Sequence, residues 1–405
     1  MIENNNIKYL FSTEAVREKA EEILQLTMEG RTKFNLFPDK IEDVADYVLE
    51  IMAKNYPDDK IPFHSRWGHF GVGNISRLEE LKTKIEEKNE KERAKIKIDL
   101  AVISVLLDAG AGPTWSYFEK ETGQKWTRSE GLAVMSFRAF MEGVFSDYEE
   151  DPLRVDSKAL QNLTLDKIKN IMQFSKDNPV IGLEGRLSLL KSLGQALEKK
   201  GQFFSDKRPG GLLRYLENTH GQTCSADKIL EAVLFSLNDI WPSRIEKEGI
   251  PLGDVWEHSL LGAKGSWESL IPFHKLSQWL SYSLIEPLEE GGLHIENLDQ
   301  LTGLAEYRNG GLLVDMGLIR PKNVEMLEAF YRPSDEIIIE WRALTVALLD
   351  RIAARIREKK GVNSKVLPLV KVLEGGTWHA GRIKAKELRE DMSPPFKIES
   401  DGTVF

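Results

Sequence analysis

The 405-residue chain has little cysteine, no excess of positive charge and no long apolar segment. Because Cys224 is the only cysteine, no disulfide can form within the chain, which is typical of a protein from a reducing compartment. The formal net charge of −9 argues against a binder of duplex nucleic acid, which needs a basic surface to neutralise phosphates. A small anionic ligand is still compatible with a few local cations.

Membrane-directed segments are absent as well. No stretch approaches the roughly 18 uncharged apolar residues of a membrane-spanning helix. The N-terminal sequence MIENNNIKYLF lacks the basic and apolar regions of a signal peptide. We therefore expect a cytoplasmic protein that neither spans nor binds a membrane.

Strand patterns are few, and helical patterns dominate the sequence. The clearest strand signal is the C-terminal FKIESDGTVF, in which Asp401 and Gly402 are suited to a hairpin turn. The sequence therefore predicts an all-α, or strongly α-dominated, fold with a minor C-terminal β-hairpin. Helices are predicted over 13–26 with Ser12 or Thr13 as cap, 40–54, 129–143 with Ser129 as cap, 183–199, 210–218, 225–237, 273–285, 323–330 and 335–359.

The domain organisation is predicted from composition. Residues 1–150 form an N-terminal helical region that contributes to the pocket, and residues 151–405 form a C-terminal helical region that carries the main site. The irregular stretch 147–156 separates them, and we expect one continuous globular unit. The run 79–97 alternates both signs of charge, which favours a solvated helical hairpin or a linker over a binding surface.

The stretch 271–319 sets three charged residues, Lys275, Glu306 and Arg308, among apolar ones. In its first helix, one face carries a lysine, an amide, an indole and a phenol at helical spacing, which suits a planar, partly polar ligand. The alternative is a helix packed on both sides, with Lys275 extending to water. The four residues of this face are Lys275, Gln278, Trp279 and Tyr282.

An Arg-x-Gly-Gly-Leu-Leu pattern occurs twice, beginning at Arg208 and at Arg308. An arginine ahead of a helix N-terminus binds anionic oxygens through free backbone N–H groups and its own charge. This pattern predicts phosphate or carboxylate binding, more strongly for the Arg308 copy. The alternative is two ordinary helices that begin at glycines.

Glu340 lies in line with apolar residues of helix 335–359, so a solvent-facing position does not explain it. A buried carboxylate must be paired or must have a shifted pKa, and both occur at active sites. Glu340 is therefore either a catalytic residue or the partner of an arginine such as Arg308.

Two further segments are candidates for the pocket. Asp108 opens the glycine-rich sequence DAGAGPTW, where it either binds sugar hydroxyls or caps the turn. In HSRWGHF, Arg66 and Trp67 either line a pocket by stacking or belong to a packed loop.

Cofactor and metal chemistry is not predicted. The glycine pairs near residues 71 and 110 follow no strand of a βαβ unit, which excludes a dinucleotide-binding loop. His64 and His69 lack an accompanying carboxylate pair or cysteine cluster, so we predict no metal site. Cys224 is interpreted as an incidental loop cysteine rather than a nucleophile.

Five segments carry a family resemblance, namely LLDAGAGPTW, RSEGLAV, FHKLSQWL, LTGLAEYRNGGLLVDMG and IEWRALTVALLD. Together they resemble the uncharacterised family associated with fungal uracil catabolism, often called uracil catabolism protein four. The resemblance extends from about Thr13 to Arg389. It implies a role in a pathway and does not by itself define an activity.

Three shorter motifs are similar to those of queuosine salvage proteins, the queuosine 5′-phosphate N-glycosylases. That family shows aromatic-x-Lys-x-x-Gln, then Asp-Tyr-Arg, then Glu-x-Arg. This chain departs from it at Glu306, which stands for Asp, and at Gly310-Gly311, which replace a Pro-Gln pair and imply a different base or no intact base. The resemblance implies a helical fold like that of helix-hairpin-helix DNA glycosylases. The matching residues are Lys275, Gln278, Tyr307, Arg308, Glu340 and Arg342.

These observations predict a hydrolase that cleaves an N-glycosidic bond of a ribosyl compound in pyrimidine catabolism, such as ribosyl urea or its 5′-phosphate. A carboxylate stabilises the oxocarbenium-like transition state and orients water, a role predicted for Glu306, with Glu340 as the second candidate. Lys275 and Arg308 would hold phosphate or sugar oxygens. A non-catalytic nucleotide-binding regulator is the alternative, while the acidic charge disfavours a DNA-repair glycosylase. The predicted substrate-binding residues are Trp67, Asp108, Lys275, Gln278, Trp279, Tyr282, Tyr307, Arg308 and Arg342.

Overall fold

Helices form most of the structure, a computed structural model that describes residues 4–108, 110–112, 114–241 and 244–399. The helix-dominated fold predicted from the sequence is confirmed. The α-helices are α1 (Asn5–Leu10), α2 (Thr13–Met28), α3 (Lys40–Asn55), α4 (Arg66–Phe70), α5 (Arg77–Ile85), α6 (Glu90–Leu106), α7 (Arg128–Met141), α8 (Ser157–Gln161), α9 (Leu165–Ile171), α10 (Leu183–Lys199), α11 (Gly211–His220), α12 (Ala226–Leu237), α13 (Lys275–Glu290), α14 (Tyr307–Asp315), α15 (Glu336–Lys360), α16 (Leu369–Val372) and α17 (Trp378–Leu388).

The described strands are short and pair only in twos. The antiparallel pairs are β1 (Phe34–Leu36) with β10 (Ile319–Pro321), β2 (Ser116–Glu119) with β3 (Gln124–Thr127), β5 (Glu246–Lys247) with β6 (Ile250–Pro251), and β7 (Val255–Glu257) with β8 (Leu270–Pro272). The parallel pairs are β4 (Thr223–Ser225) with β9 (His294–Glu296) and β11 (Phe330–Tyr331) with β12 (Lys397–Ile398).

Local sequence signals account for several helix ends. The Ser12 hydroxyl accepts a hydrogen bond from the backbone N–H of Ala15 at 3.1 Å, which caps α2 as predicted. Helix α15 ends at Gly361, whose positive φ of 65° suits a residue without a Cβ. The charged run from residue 79 to 97 lies in two consecutive helices, α5 and α6, and in the turn between them.

Three local predictions differ from the structure. Residues 323–330 do not form an α-helix, because a short 3₁₀ turn (Val324–Leu327) leads directly into β11. Ser129 does not cap α7, which begins one residue earlier, and its hydroxyl instead binds the Asp108 carboxylate. At the C-terminus, β12 pairs in parallel with β11, and the predicted turn at 401–402 lies outside the described residues.

The chain divides into two compact units. The first consists of the described parts of Met1–His64, Ser243–Gln278 and Asn297–Phe405, and the second of those of Ser65–Pro242 and Trp279–Glu296. The stretch 147–156, predicted as a boundary, lies inside the second unit.

Each unit is built on one apolar helix. In the first, α15 packs against α2, α3 and α14, and its residues 337–349 are all buried. In the second, α6 packs against α7, α10 and α11, and its residues 98–106 are all buried. Because every residue of these two stretches is buried, neither stretch shows a polar face in the sequence. Within the described residues, no helix combines the length and apolar character needed to cross a membrane.

Gly381 lies at a close contact between two helices of the first unit. It lies on α17, and a Cβ added there would approach the Arg308 carbonyl oxygen of α14 to 2.1 Å. We expect Gly381→Ala to lower the free energy of unfolding by about 1–3 kcal/mol, because one helix must move away from the other. Urea denaturation measures this change.

The matched control is Gly185→Ala in α10, since an added Cβ there meets no atom within 4 Å. This substitution should stabilise the protein by roughly 0.5–1 kcal/mol, the usual gain of alanine over glycine in a helix. Equal stability of the two variants would contradict the close packing of α17 on α14.

Candidate functional site

A carboxylate–guanidinium pair, Asp254 with Arg342, lies at the centre of the first unit. Arg342 of α15 donates two hydrogen bonds to Asp254, of 2.8 and 2.7 Å. The arginine side chain is 1% exposed and that of Asp254 is 15% exposed. Burial by itself would raise the pKa of the Asp254 carboxyl, but the charge and hydrogen bonds of Arg342 outweigh burial and lower the pKa to about 2. The pair is therefore ionised.

This pair connects the N-termini of two helices. Asp254 also accepts a hydrogen bond of 3.0 Å from the backbone N–H of Lys275, the first residue of α13. Arg342 donates a third bond, of 3.2 Å, to the carbonyl of Ala305, immediately before Glu306. Its guanidinium also lies 4.2 Å from the centre of the Phe273 ring. Asp254 and Arg342 thus join the backbone of Lys275, in the motif at 273–278, to that of Ala305, which directly precedes the motif at 306–308.

Glu306 is the N-cap residue of α14. Its two carboxylate oxygens accept hydrogen bonds of 2.6 Å from the backbone N–H groups of Arg308 and Asn309, and the residue is 8% exposed. A carboxylate at this position is stabilised by the positive end of the helix. The longer side chain that replaces the expected aspartate still reaches the first turn.

The Arg308 copy of the repeated pattern does not have the predicted arrangement of an arginine ahead of free helix N–H groups. Arg308 does not precede the helix but is its second residue, and Glu306 already occupies the N–H groups. The guanidinium lies 4.8 Å from the centre of the Tyr307 ring and donates a hydrogen bond of 2.8 Å to the Met392 carbonyl.

The Arg208 copy binds a carboxylate of the protein itself. Asp99 accepts hydrogen bonds from the Arg208 side chain at 2.8 Å and from the Gly210 N–H at 2.7 Å. An arginine and a helix N-terminus thus bind a carboxylate here, as the pattern predicted. This carboxylate, however, belongs to the protein and not to a ligand. In the Arg208 copy, the arginine and the helix N-terminus therefore stabilise the packing of the protein itself.

Glu340 does not pair with Arg308, as one interpretation of the sequence expected. Its carboxylate accepts a hydrogen bond of 2.8 Å from the Lys33 backbone N–H and lies 3.3 Å from the His258 ring nitrogen. Since Glu340 and Arg342 are two residues apart on α15, their side chains leave the helix in different directions. Only Arg342 reaches the N-terminus of α13.

Gln278 completes the group of predicted residues in the first unit. The side chain is fully buried, and its Oε1 accepts a hydrogen bond of 3.3 Å from the backbone N–H of Thr302. This bond connects α13 with the segment that leads into α14. The structure thus brings Lys275 and Gln278 close to the same segment as Glu306, and places Glu340 elsewhere on α15.

The remaining predicted residues lie in the second unit. Asp108 accepts hydrogen bonds from Arg66 at 2.8 Å and from the Ser129 hydroxyl at 2.7 Å. Arg66 is fully buried, and its guanidinium lies 5.5 Å from the centre of the Trp279 ring. Arg66 thus lies against a ring of the protein itself, and the Trp67 ring nitrogen donates to the Ser283 carbonyl at 2.8 Å. The last predicted contact, Tyr282, is fully buried.

The histidines and the cysteine have identifiable surroundings. Among the described residues, no group of three or more His, Cys, Asp and Glu is placed to hold a metal ion. The His64 ring nitrogen lies 2.7 Å from a Glu374 oxygen, while His69 packs edge-on against Trp279. Cys224 is buried in β4 rather than in a loop, and burial raises the pKa of its thiol to about 11, which disfavours a thiolate nucleophile.

Asp254 is the central residue that the sequence did not reveal. In the sequence PLGDVWEH it lies between Gly253 and Val255, outside every motif that the sequence analysis singled out. The only available signal was indirect, since a buried arginine such as Arg342 requires a carboxylate. Its partner, Arg342, lies 88 residues further along the chain.

The fold and this site define a helix-dominated protein in which a buried ion pair holds the N-termini of two helices of one unit. The chain belongs to the family described as "protein of unknown function (DUF1688)", whose model matches residues 9–405. It is 40% identical over 409 residues to Protein urg3 of Schizosaccharomyces pombe, with 98% of each chain covered. It is 36% identical over 445 residues to Uracil catabolism protein 4 of Lachancea kluyveri, with 100% of each chain covered.

The Asp254–Arg342 pair predicts a dependence of stability on pH. The pKa of Asp254 is lowered on folding from 3.8 to about 2, so its stabilisation is complete above about pH 4 and is lost as the pH falls through about 2. Asp254→Asn leaves the arginine buried without a counter-charge and should lower the free energy of unfolding by roughly 3 kcal/mol at pH 7. The difference from the wild type should shrink between about pH 4 and pH 2.

Denaturant unfolding at several pH values measures both effects. Asp350→Asn is the matched control, because Asp350 pairs with Arg17 at 2.9 Å but both side chains are about one-third exposed. We expect a much smaller loss for this variant, as is usual for exposed pairs. A constant difference between Asp254→Asn and the wild type across the whole pH range would disprove the role of the ionised pair.

Proposed function

We propose that this protein is a hydrolase that cleaves the N-glycosidic bond of a ribosyl compound in uracil catabolism, such as ribosyl urea or its 5′-phosphate. Two findings support the proposal. A relative that is 36% identical over the whole chain is named a uracil catabolism protein. The motifs that resemble those of a ribosyl hydrolase family meet in one buried network, and this convergence through Asp254 and Arg342 is the observation that carries the proposal.

Glu306 is the proposed catalytic carboxylate. Cleavage of an N-glycoside builds positive charge on the sugar ring, which a fixed anion stabilises, and the anion can also orient the attacking water. Two backbone N–H groups fix Glu306 at the start of α14. Each carboxylate oxygen has a further lone pair, so the capping bonds do not exhaust its capacity as an acceptor. Glu340 is less suited, since it is 1% exposed and binds Lys33 and His258.

The proposed binding groups of the first unit are Lys275, Gln278 and the pair Tyr307 and Arg308. Lys275 begins α13, and its backbone N–H is held by Asp254. Arg308 lies over the Tyr307 ring, an arrangement in which a guanidinium binds phosphate or sugar oxygens while the ring packs on a flat group. Arg342 acts as a positioning residue. Trp67, Asp108, Trp279 and Tyr282 belong to the second unit and stay predictions from the sequence.

A non-catalytic nucleotide-binding regulator is the second candidate. One observation favours it, namely that both candidate carboxylates accept hydrogen bonds within the protein. In that case Glu306 would be a helix cap alone.

Direct incubation with substrates separates the two candidates. The protein is mixed with uridine, uridine monophosphate or ribosyl urea, and the release of ribose or ribose phosphate is measured. Release from ribosyl urea or its phosphate is expected. Absence of release from every compound, with ligand binding retained, would favour the regulator.

The assignment of Glu306 is tested by Glu306→Gln. The amide keeps the shape and part of the capping but removes the charge, and we expect kcat to fall at least about 100-fold. Asp156→Asn is the matched control, because Asp156 caps α8 of the second unit in the same way and is 3% exposed. Similar losses in both variants, or full activity of Glu306→Gln, would refute a catalytic Glu306.

A further inference from the structure

The Asn309 side chain is the most unusual polar group of the first unit. It is fully buried on α14, and neither its amide oxygen nor its amide nitrogen has a hydrogen-bond partner among the described residues. Other buried amides differ, since Asn238 accepts a bond of 2.7 Å from Lys200 and Gln278 keeps one bond to Thr302. An unpaired buried donor or acceptor costs stability, so such a group points to a ligand.

The backbone around Asn309 is held firmly. Its own N–H donates to the Glu306 carboxylate at 2.6 Å. The carbonyl of the next residue, Gly310, accepts a bond of 2.9 Å from the Trp341 ring nitrogen, and a Cβ added at Gly310 would meet Thr345 at 2.7 Å. The amide is therefore presented from a rigid helix start that also carries the proposed catalytic carboxylate, as a specific binding group requires.

We propose that the side-chain amide of Asn309 binds the ureide part of the substrate through a paired donor and acceptor. This inference rests on the proposed function and specifies its substrate class. A ureide carries a carbonyl oxygen beside an N–H group, and a carboxamide presents the complementary N–H and carbonyl in one plane. Such a pair selects a ureide over a leaving group that lacks either atom.

The same contact assists the reaction. Water adds its hydroxyl to the anomeric carbon, the bond from that carbon to nitrogen breaks, and the remaining proton of water is transferred to the departing nitrogen, which gives ribose and urea. As the bond breaks, electron density moves onto the ureide, including its carbonyl oxygen. The Asn309 N–H donates to that oxygen and stabilises the developing charge.

The test compares two substrates in Asn309→Ala. With ribosyl urea, kcat/KM should fall roughly 10- to 100-fold, the loss expected for two neutral hydrogen bonds. With 4-nitrophenyl riboside, whose leaving group has no ureide, it should change less than about threefold. Equal losses on both substrates, or no loss on ribosyl urea, would overturn the proposal.

Stability distinguishes a binding role from a structural one. Because the Asn309 side chain has no hydrogen-bond partner among the described residues, Asn309→Ala should leave the melting temperature unchanged or raise it. Asn238→Ala, the matched control, removes the acceptor of Lys200 and should lower it. A drop for Asn309→Ala as large as that for Asn238→Ala would show that the amide is structural.

Failure of the inference and failure of the proposed function give different results. If the wild type hydrolyses 4-nitrophenyl riboside but not ribosyl urea, the glycosidase stands and the ureide assignment falls. If it hydrolyses neither, the proposed function fails, and calorimetric titration with ribosyl urea decides on Asn309. Binding by the wild type that is lost in Asn309→Ala supports the assignment, and no binding by the wild type refutes it.

Discussion

The first unit depends on the ionised pair of Asp254 and Arg342. A guanidinium with 1% exposure is costly unless a carboxylate accepts from it, and Asp254 meets this need with two hydrogen bonds. The pair also binds the backbone N–H of Lys275 and the backbone carbonyl of Ala305. Through these bonds one interaction sets the positions of α13, α14 and α15, and with them the side chains proposed to bind a ribosyl substrate.

Carboxylates bind the N-termini of several helices in this chain. Glu306 caps α14, Asp156 caps α8, and Asp99 binds the turn that starts α11. The positive end of a helix stabilises a carboxylate wherever the chain supplies one. For Asp156 and Asp99 this is a packing role, whereas Glu306 lies beside Asn309, whose amide has no partner among the described residues. The amide of Asn309, and not the capping carboxylate, therefore distinguishes the start of α14 from those of α8 and α11.

Much of the fold was predictable from local patterns, and the partners of buried charges were not. Helices 183–199 and 335–359 agree with α10 and α15 to within a residue, because long apolar periodicity decides helix formation locally. The segment 323–330 was predicted as a helix, but it forms a short 3₁₀ turn and ends at the first residue of β11, a strand that forms by pairing with β12 near the C-terminus. Glu340 was recognised as buried, yet Lys33, which binds Glu340, and Asp254, which binds Arg342, are distant in sequence.

The sequence by itself determined the helix-dominated class, the family resemblance and the motifs that carry charge in apolar surroundings. These properties follow from composition and from spacing along one helix. Only the tertiary structure decided that Arg342 rather than Glu340 joins α13 and α14, and that Glu306 caps its own helix. It alone showed that the amide of Asn309 has no partner among the described residues. The physical reason is that the hydrogen-bond partners of buried groups depend on which segments meet in space, and local sequence patterns do not reveal these contacts.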